Sequence, residues 1–190
     1  MANVSSMLAY AVLMAYDFAG VSSIVDVGGG QGKLLEKILQ FNPCIGGTVF
    51  DTASTIERVK RGPGNDAWSR RCSYVKGDFF TSVPEGADAY LLCGVIHDWD
   101  DRRAIRILEN CRRAMGEKGR VLLVDMVVPD TDAMSFSKLL DLNMLAMTGG
   151  RERTKGEFRA LLDAAGYKLT KIIPTMAPQS VIEAVPKVCN

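Results

Sequence analysis

The sequence is short of several things that would assign it elsewhere. It holds one histidine, His97, and its five cysteines (Cys44, Cys72, Cys93, Cys111 and Cys189) are scattered, odd in number and nowhere spaced C-x-x-C. A Cys/His zinc site of the usual spacing is therefore excluded and no metal is expected. Reduced thiols in a cytoplasmic protein are expected rather than a disulfide framework. The apolar run over residues 7–16 falls short of the about 20 residues that a membrane-spanning helix needs. No Lys or Arg precedes it, the first being Lys33, so it lacks the charged start of a secretory signal. Charge of one sign is missing too: 23 Lys and Arg against 22 Asp and Glu leave a net charge of +1. No overall field favours nucleic acid or an anionic membrane, and a small partner is expected.

What remains is globular. With 190 residues, 47% apolar and 24% charged, the chain suffices for one domain, 1–190, with a hydrophobic core. Strand-like and helix-like segments alternate along it. Strands are expected at 22–27, 46–51, 73–76, 87–93 and 120–128, and helices at 31–41, 52–60 and 101–115. Residues 61–69, rich in Gly and Pro, read as a loop. Asp100 or Asp101 can cap the 101–115 helix, whose expected buried stripe is Ala104, Ile105, Leu108, Cys111 and Met115. The 120–128 segment, RVLLVDMVV, is nearly all apolar, as a central strand covered on both faces should be. Helices near 135–147 and 154–164 follow, the latter with Thr154 and Glu157 placed as a capping box. The segments 168–174 and 179–185 then form a hairpin, so one terminal strand should run antiparallel to an otherwise parallel α/β sheet.

The sharpest local signal is DVGGGQG, Asp26 to Gly32, between the first strand and its helix. Glycines there permit a tight turn and let a ligand approach the main chain at a helix amino end. The dinucleotide fingerprint G-x-G-x-x-G fails: its last place falls on Lys33 when counted from Gly28 and on Leu35 when counted from Gly30. The loop suits a ligand without pyrophosphate, with a charged amino-acid moiety near Asp26. Asp51, closing the second strand, stands where a carboxylate accepts both hydroxyls of a ribose. Asp78, after the third strand, could meet an adenine edge, with Phe79 on its face. Singly, the loop could be a plain turn and Asp51 a helix cap; together and in this order they favour nucleoside binding.

After the fourth strand comes GVIHDWDD. It places His97 at the carboxyl edge of the sheet, where open α/β folds bind ligands. Imidazole, with an ordinary pKa near 6.5, is a natural general base for a hydroxyl. Two carboxylates could orient its other nitrogen: Asp125, late in the fifth strand, and Glu152. The bland alternatives are a buried polar residue for Asp125 and a helix-start charge for Glu152.

Read together, DVGGGQG, the Phe50-Asp51 strand end, KGDFF, VIHDWDD, GRVLLVD and GGRERTKGEFRALLDAAGY resemble the caffeic-acid-type O-methyltransferases of plants and their bacterial relatives. The resemblance implies a Rossmann-like class I methyltransferase fold: a mostly parallel seven-stranded sheet with an antiparallel strand in the C-terminal hairpin. It also implies methyl transfer from S-adenosylmethionine to a phenolic or enolic hydroxyl of a small metabolite. By matching position, His97 would be the base, with Asp125 and Glu152 flanking it. Gly28, Gly30, Asp51, Asp78 and Phe79 would hold the cofactor. Cys93 stands at a cofactor contact where plant members usually have Lys, and Asp125 where they have Glu. The family also carries an amino-terminal helical domain that forms a dimer and closes the acceptor pocket. Residues 1–16 resemble the helix just before the glycine strand, so that domain is expected to be missing from the chain. Either a homodimer or a partner supplying it is expected, with exposed apolar side chains at Met7, Leu8, Val12 and Leu13.

Rival readings fit less well. A nicotinamide dehydrogenase lacks its fingerprint here. A nucleic-acid amino-methyltransferase would need Asn/Asp-Pro-Pro-aromatic where this chain has Gly94-Val95-Ile96-His97. A metal-dependent catechol-type enzyme would need converging carboxylates and Asn. A cofactor-binding module without turnover of its own stays open. Acceptor choice is expected to involve residues such as Met126, Met144 and Met147.

Overall fold

Short apolar segments ending in glycine or a carboxylate line up side by side to make the sheet. In a computed structural model of the chain, residues 2–59, 68–116, 118–129 and 151–187 are described. Strands β1 (Ser23–Val27), β2 (Gly46–Asp51), β3 (Cys72–Lys76), β4 (Ala89–Cys93) and β5 (Arg120–Val128) run parallel in the order β3-β2-β1-β4-β5. Strand β8 (Gln179–Pro186) pairs antiparallel with β5, and β7 (Tyr167–Pro174) pairs antiparallel with β8 at the far edge. Seven strands thus form one continuous order, with the antiparallel member in the C-terminal hairpin. An eighth, the two-residue β6 (Arg153–Thr154), pairs parallel with the end of β5 at Val127 and Val128. Nothing in its short polar sequence announced it.

Each helix begins and ends for a local reason. Gly32, in the left-handed region at φ 74°, opens α2 (Lys33–Phe41), which buries Leu34, Leu35, Ile38 and Leu39. Thr52, not Asp51, caps α3 (Ala53–Arg58), so the carboxylate of Asp51 is not spent on the helix. Asp100 caps α4 (Asp101–Ala114) by accepting from the Arg103 amide, leaving Asp101 for other partners. Thr154 and Glu157 close a full capping box on α5 (Lys155–Ala164). On α4 the buried stripe differs from expectation: Ile107 is fully buried and Ile105 only partly. At about 100° per residue, Ile107 lies nearer than Ile105 to the line through Ala104, Leu108 and Cys111. The helix expected at 135–147 lies outside the described residues, as does most of the 61–69 loop.

Because both sheet faces are covered, alternate residues of a strand serve different cores. Tyr90 and Leu92 of β4 pack with α4 and α5, on the face of Ile107, Leu108 and Leu162. Ala89 and Leu91 pack with α1 (Ala2–Ala15) and α2, on the face of Val12, Leu35 and Ile38. The exposure expected along α1 needs correction. Val12 is buried against the sheet and Leu8 and Leu13 are partly buried, while Met7, Tyr10 and Met14 face outward. Tyr16 extends the anchorage by donating to Glu183 of β8 at 2.6 Å. No helix among the described residues is long and apolar enough to cross a membrane.

Candidate active site

The carboxyl ends of β1, β2, β4 and β5 converge on one edge, and the expected polar residues lie along it. Gly28 takes φ +70° and donates its amide to the Phe50 carbonyl at 2.8 Å, tying the loop to the end of β2. A Cβ on Gly28 would stand 2.8 Å from a methyl of Val95, so the close approach there is within the protein itself. Gly30 is different. It takes φ +59°, and a Cβ on it would meet nothing within 4 Å. Its amide donates to Asp51 Oδ2 at 2.9 Å, while Asp51 Oδ1 accepts from the Thr52 amide at 2.7 Å. The loop and the acid on β2 are therefore locked together, and each carboxylate oxygen keeps room for another donor.

Asp26 is 2% exposed at the end of β1, and its Oδ1 has no hydrogen-bond partner among the described residues. Burial, with the neighbouring charge of Asp51, pushes its carboxyl up to about 7. A buried carboxylate with an unpaired oxygen beneath a glycine turn fits a ligand that brings a cationic group of its own. Phe79 reaches the same place: its ring edge would be 3.7 Å from a Cβ on Gly28, and it packs edge-on against Phe80 and Trp99. Asp78 stands exposed beside it, and its carboxylate accepts from the Phe80 amide at 2.8 Å. Cys93, at the end of β4, has its thiol pushed upward by burial and by the charges of Asp26 and Asp125. It lies electrostatically between the glycine side of the site and the histidine side.

His97 sits in a single 3-10 turn, Ile96–Asp98, directly after β4. Its Nδ1 is 3.1 Å from Glu152 Oε1 and 3.9 Å from Asp125 Oδ1, and its Nε2 is 3.6 Å from Asp98 Oδ1. The three residues expected to act together are thus brought together from three elements. Glu152 faces the imidazole; the capping of α5 falls to Glu157 instead. Asp125 is 1% exposed, with neither carboxylate oxygen hydrogen-bonded among the described residues, and burial pushes it up to about 7. Burial disfavours charge on His97 as well. The Glu152 hydrogen bond and the charges of Asp125, Glu152 and Asp98 outweigh that and raise its pKa to about 9. With Nδ1 engaged by Glu152, Nε2 has Asp98 Oδ1 at 3.6 Å, beyond hydrogen-bond reach.

Met126 is buried in β5, whereas Met144 and Met147 lie outside the described residues. One buried residue beside the site escaped the sequence reading. Arg153, inside the quoted GGRERT stretch, is completely buried and hydrogen-bonds the main chain on both sides of His97. Its only sequence signal was a second aspartate, Asp101, beside one that already suffices as a cap. Among the described residues, no cluster of three or more metal-ligating side chains occurs.

Comparison with known proteins assigns the fold and the family. Residues 1–168 match the family model of an O-methyltransferase domain. The phenazine O-methyltransferase PhzM of Lysobacter antibioticus is 40% identical over 185 residues, covering 97% of this chain and 54% of that protein. The crystal structure of CalO1, a methyltransferase in calicheamicin biosynthesis in its S-adenosylhomocysteine-bound form, superposes with a TM-score of 0.90 at 37% identity. It covers 98% of this chain and 55% of that one. NcsB1, an O-methyltransferase from neocarzinostatin biosynthesis in complex with S-adenosyl-L-homocysteine and 1,4-dihydroxy-2-naphthoic acid, gives a TM-score of 0.82 at 33% identity, covering 98% and 58%. The chain spans about half the length of the curated relatives it matches. In sequence and in class I methyltransferase fold alike, it belongs to the S-adenosylmethionine-dependent O-methyltransferase family of plants and bacteria.

Proposed function

We propose that the chain binds S-adenosylmethionine along Gly28 and Gly30 and catalyses methyl transfer to a hydroxyl of a small aromatic metabolite, with His97 as general base. The observation that carries this is the 3.1 Å contact between His97 Nδ1 and Glu152, made at the carboxyl edge beside the glycine loop. The cofactor supplies the electrophilic methyl group on a sulfonium centre. Asp26 would meet its amino group, Asp51 its ribose hydroxyls, and Phe79 with Asp78 its adenine; Cys93 would lie against it from β4.

The chain's own part is proton removal and placement. His97 Nε2 takes the acceptor's proton while the negative charges of Glu152 and Asp125 stabilise the imidazolium that results. A phenol ionises near pH 10, so transfer to an imidazole raised to about 9 is uphill by about tenfold, and the neutral imidazole that accepts the proton becomes available as pH rises toward 9. Holding the acceptor oxygen in line with the methyl group contributes the larger share of acceleration. Incubation with labelled cofactor and a panel of hydroxylated aromatics tests the proposal: a labelled methyl ether is expected, and its absence from every member of the panel contradicts it.

A second reading is favoured by one feature. Met7, Tyr10 and Met14 of α1, with Phe41 at the end of α2, form an outward apolar face. Such faces mark association, so the active form would be a homodimer or would include a further domain, and the chain alone would bind cofactor but methylate poorly or not at all. Light scattering of the purified chain distinguishes a monomer from a dimer.

A further inference from the structure

We propose that Arg153 is a positioning residue for methyl transfer: its buried guanidinium, anchored on Asp101, grips the main chain on both sides of His97 and so fixes the imidazole against Glu152. The inference rests on the reading of His97 as the base. Three consecutive residues hold the 3-10 turn. The Arg151 amide donates to the His97 carbonyl at 2.9 Å. Glu152 meets His97 Nδ1 at 3.1 Å. Arg153 then donates from Nη1 to the Ile96 carbonyl at 3.0 Å and from Nη2 to the Trp99 carbonyl at 2.8 Å, bracketing the histidine. The same guanidinium closes on Asp101 Oδ1 with Nε at 3.0 Å and Nη2 at 2.8 Å.

This is work for arginine alone. Its donors lie in one plane at fixed angles and reach a carboxylate and two carbonyls at once, whereas an ammonium offers three donors from a single point. The side chain is fully buried, so water cannot substitute for a lost contact. Asp101 is half exposed at the start of α4, so the clamp also ties the histidine turn to that helix. Because Glu152 directly precedes Arg153, the first residue of β6, a shift of this strand would move the carboxylate and release the turn together.

The single histidine makes the test direct, since every imidazole resonance belongs to His97. The groups facing it are Asp98 on its own turn, Asp125 on β5 and Glu152 before β6, with the Arg153 cation behind them. The experiment is an NMR titration of His97 in the chain and in Arg153→Lys, which keeps the positive charge. In the unaltered chain the midpoint is expected near 9. In the variant it is expected to fall by about one unit or more toward the ordinary value, with S-adenosylhomocysteine affinity within about twofold by calorimetry. A folded variant whose midpoint stays unchanged overturns the proposal and leaves Arg153 as packing only. Where Arg153→Lys loses its native circular dichroism, Asp101→Asn decides. Asp101 is not among the charges that raise His97, but its Oδ2 also lies 3.4 Å from Arg151 Nη2. A midpoint lowered in Asp101→Asn and unchanged in Arg151→Ala supports transmission through the Arg153 guanidinium, and one unchanged in Asp101→Asn, or lowered equally in both variants, refutes it. Neither readout uses turnover, so failure here is distinct from failure of His97 as base, which shows as retained activity in His97→Ala.

Discussion

Gly30 and Gly20 offer a controlled pair for locating the cofactor. Both have positive φ, +59° and +77°, and a Cβ on either meets nothing within 4 Å. Alanine at either place therefore brings backbone strain without a clash inside the protein. Left-handed backbone costs an ordinary residue about 1–2 kcal/mol, and the stiffer unfolded chain of alanine offsets about 0.4–1 kcal/mol. A net loss of roughly 1 kcal/mol follows for each, or about 2–4 °C in melting temperature for a chain of this size. The two should separate on binding. The open space in front of Gly30 is the proposed seat of the cofactor, and a methyl group there overpacks it at a cost of about 1–3 kcal/mol, roughly 5- to 150-fold in Kd. Gly20 lies in the turn before β1, remote from the seat. Calorimetric titration with S-adenosylhomocysteine should therefore show Gly20→Ala unchanged and Gly30→Ala weakened by at least about fivefold. Equal affinity in both variants would refute the placement of the ligand at Gly30.

Two further outcomes concern charge. His97 is raised to about 9, so its stabilisation is complete below about pH 6.5 and lost as pH rises through 9. Asp26 and Asp125 are raised to about 7 by burial, so the cost of ionising them is full above pH 7 and relieved as pH falls toward 4. All three act in one direction, and the urea midpoint is expected to decline steadily from pH 5 to pH 9; a midpoint that rises over that range contradicts these shifts. Asp26→Asn removes an unpaired buried charge and should raise the melting temperature at pH 8. The same change should weaken cofactor binding about tenfold or more, as expected when a charged hydrogen-bond partner is lost; a variant that is both less stable and equally tight in binding argues against that role.

The parts of the fold that were legible in the sequence are those governed by local chemistry. The glycine run, the capping pair Thr154 and Glu157 and the apolar stretch 120–128 each state their structure within a few residues. His97 was legible because strand four ends four residues earlier, at Cys93, and places it at the ligand edge. What stayed hidden depends on distant partners. Arg153 contacts Ile96 and Trp99 through their carbonyls, more than fifty residues away, and a main-chain acceptor leaves no mark on the sequence. The exchange of Ile105 for Ile107 turns on a helix rotation smaller than a residue's arc. The inward turn of Val12 is decided by β8 and the sheet face it packs on, neither of which is near α1 in the chain.

The central claim is that His97 takes the acceptor's proton. Its most direct test compares methyl transfer to a phenol by the chain and by His97→Ala at pH 9, with cofactor affinity measured alongside. The expected result is a rate about 10²–10⁴-fold lower in the variant, with affinity for S-adenosylhomocysteine unchanged within about twofold. A variant that keeps its rate within about threefold contradicts it.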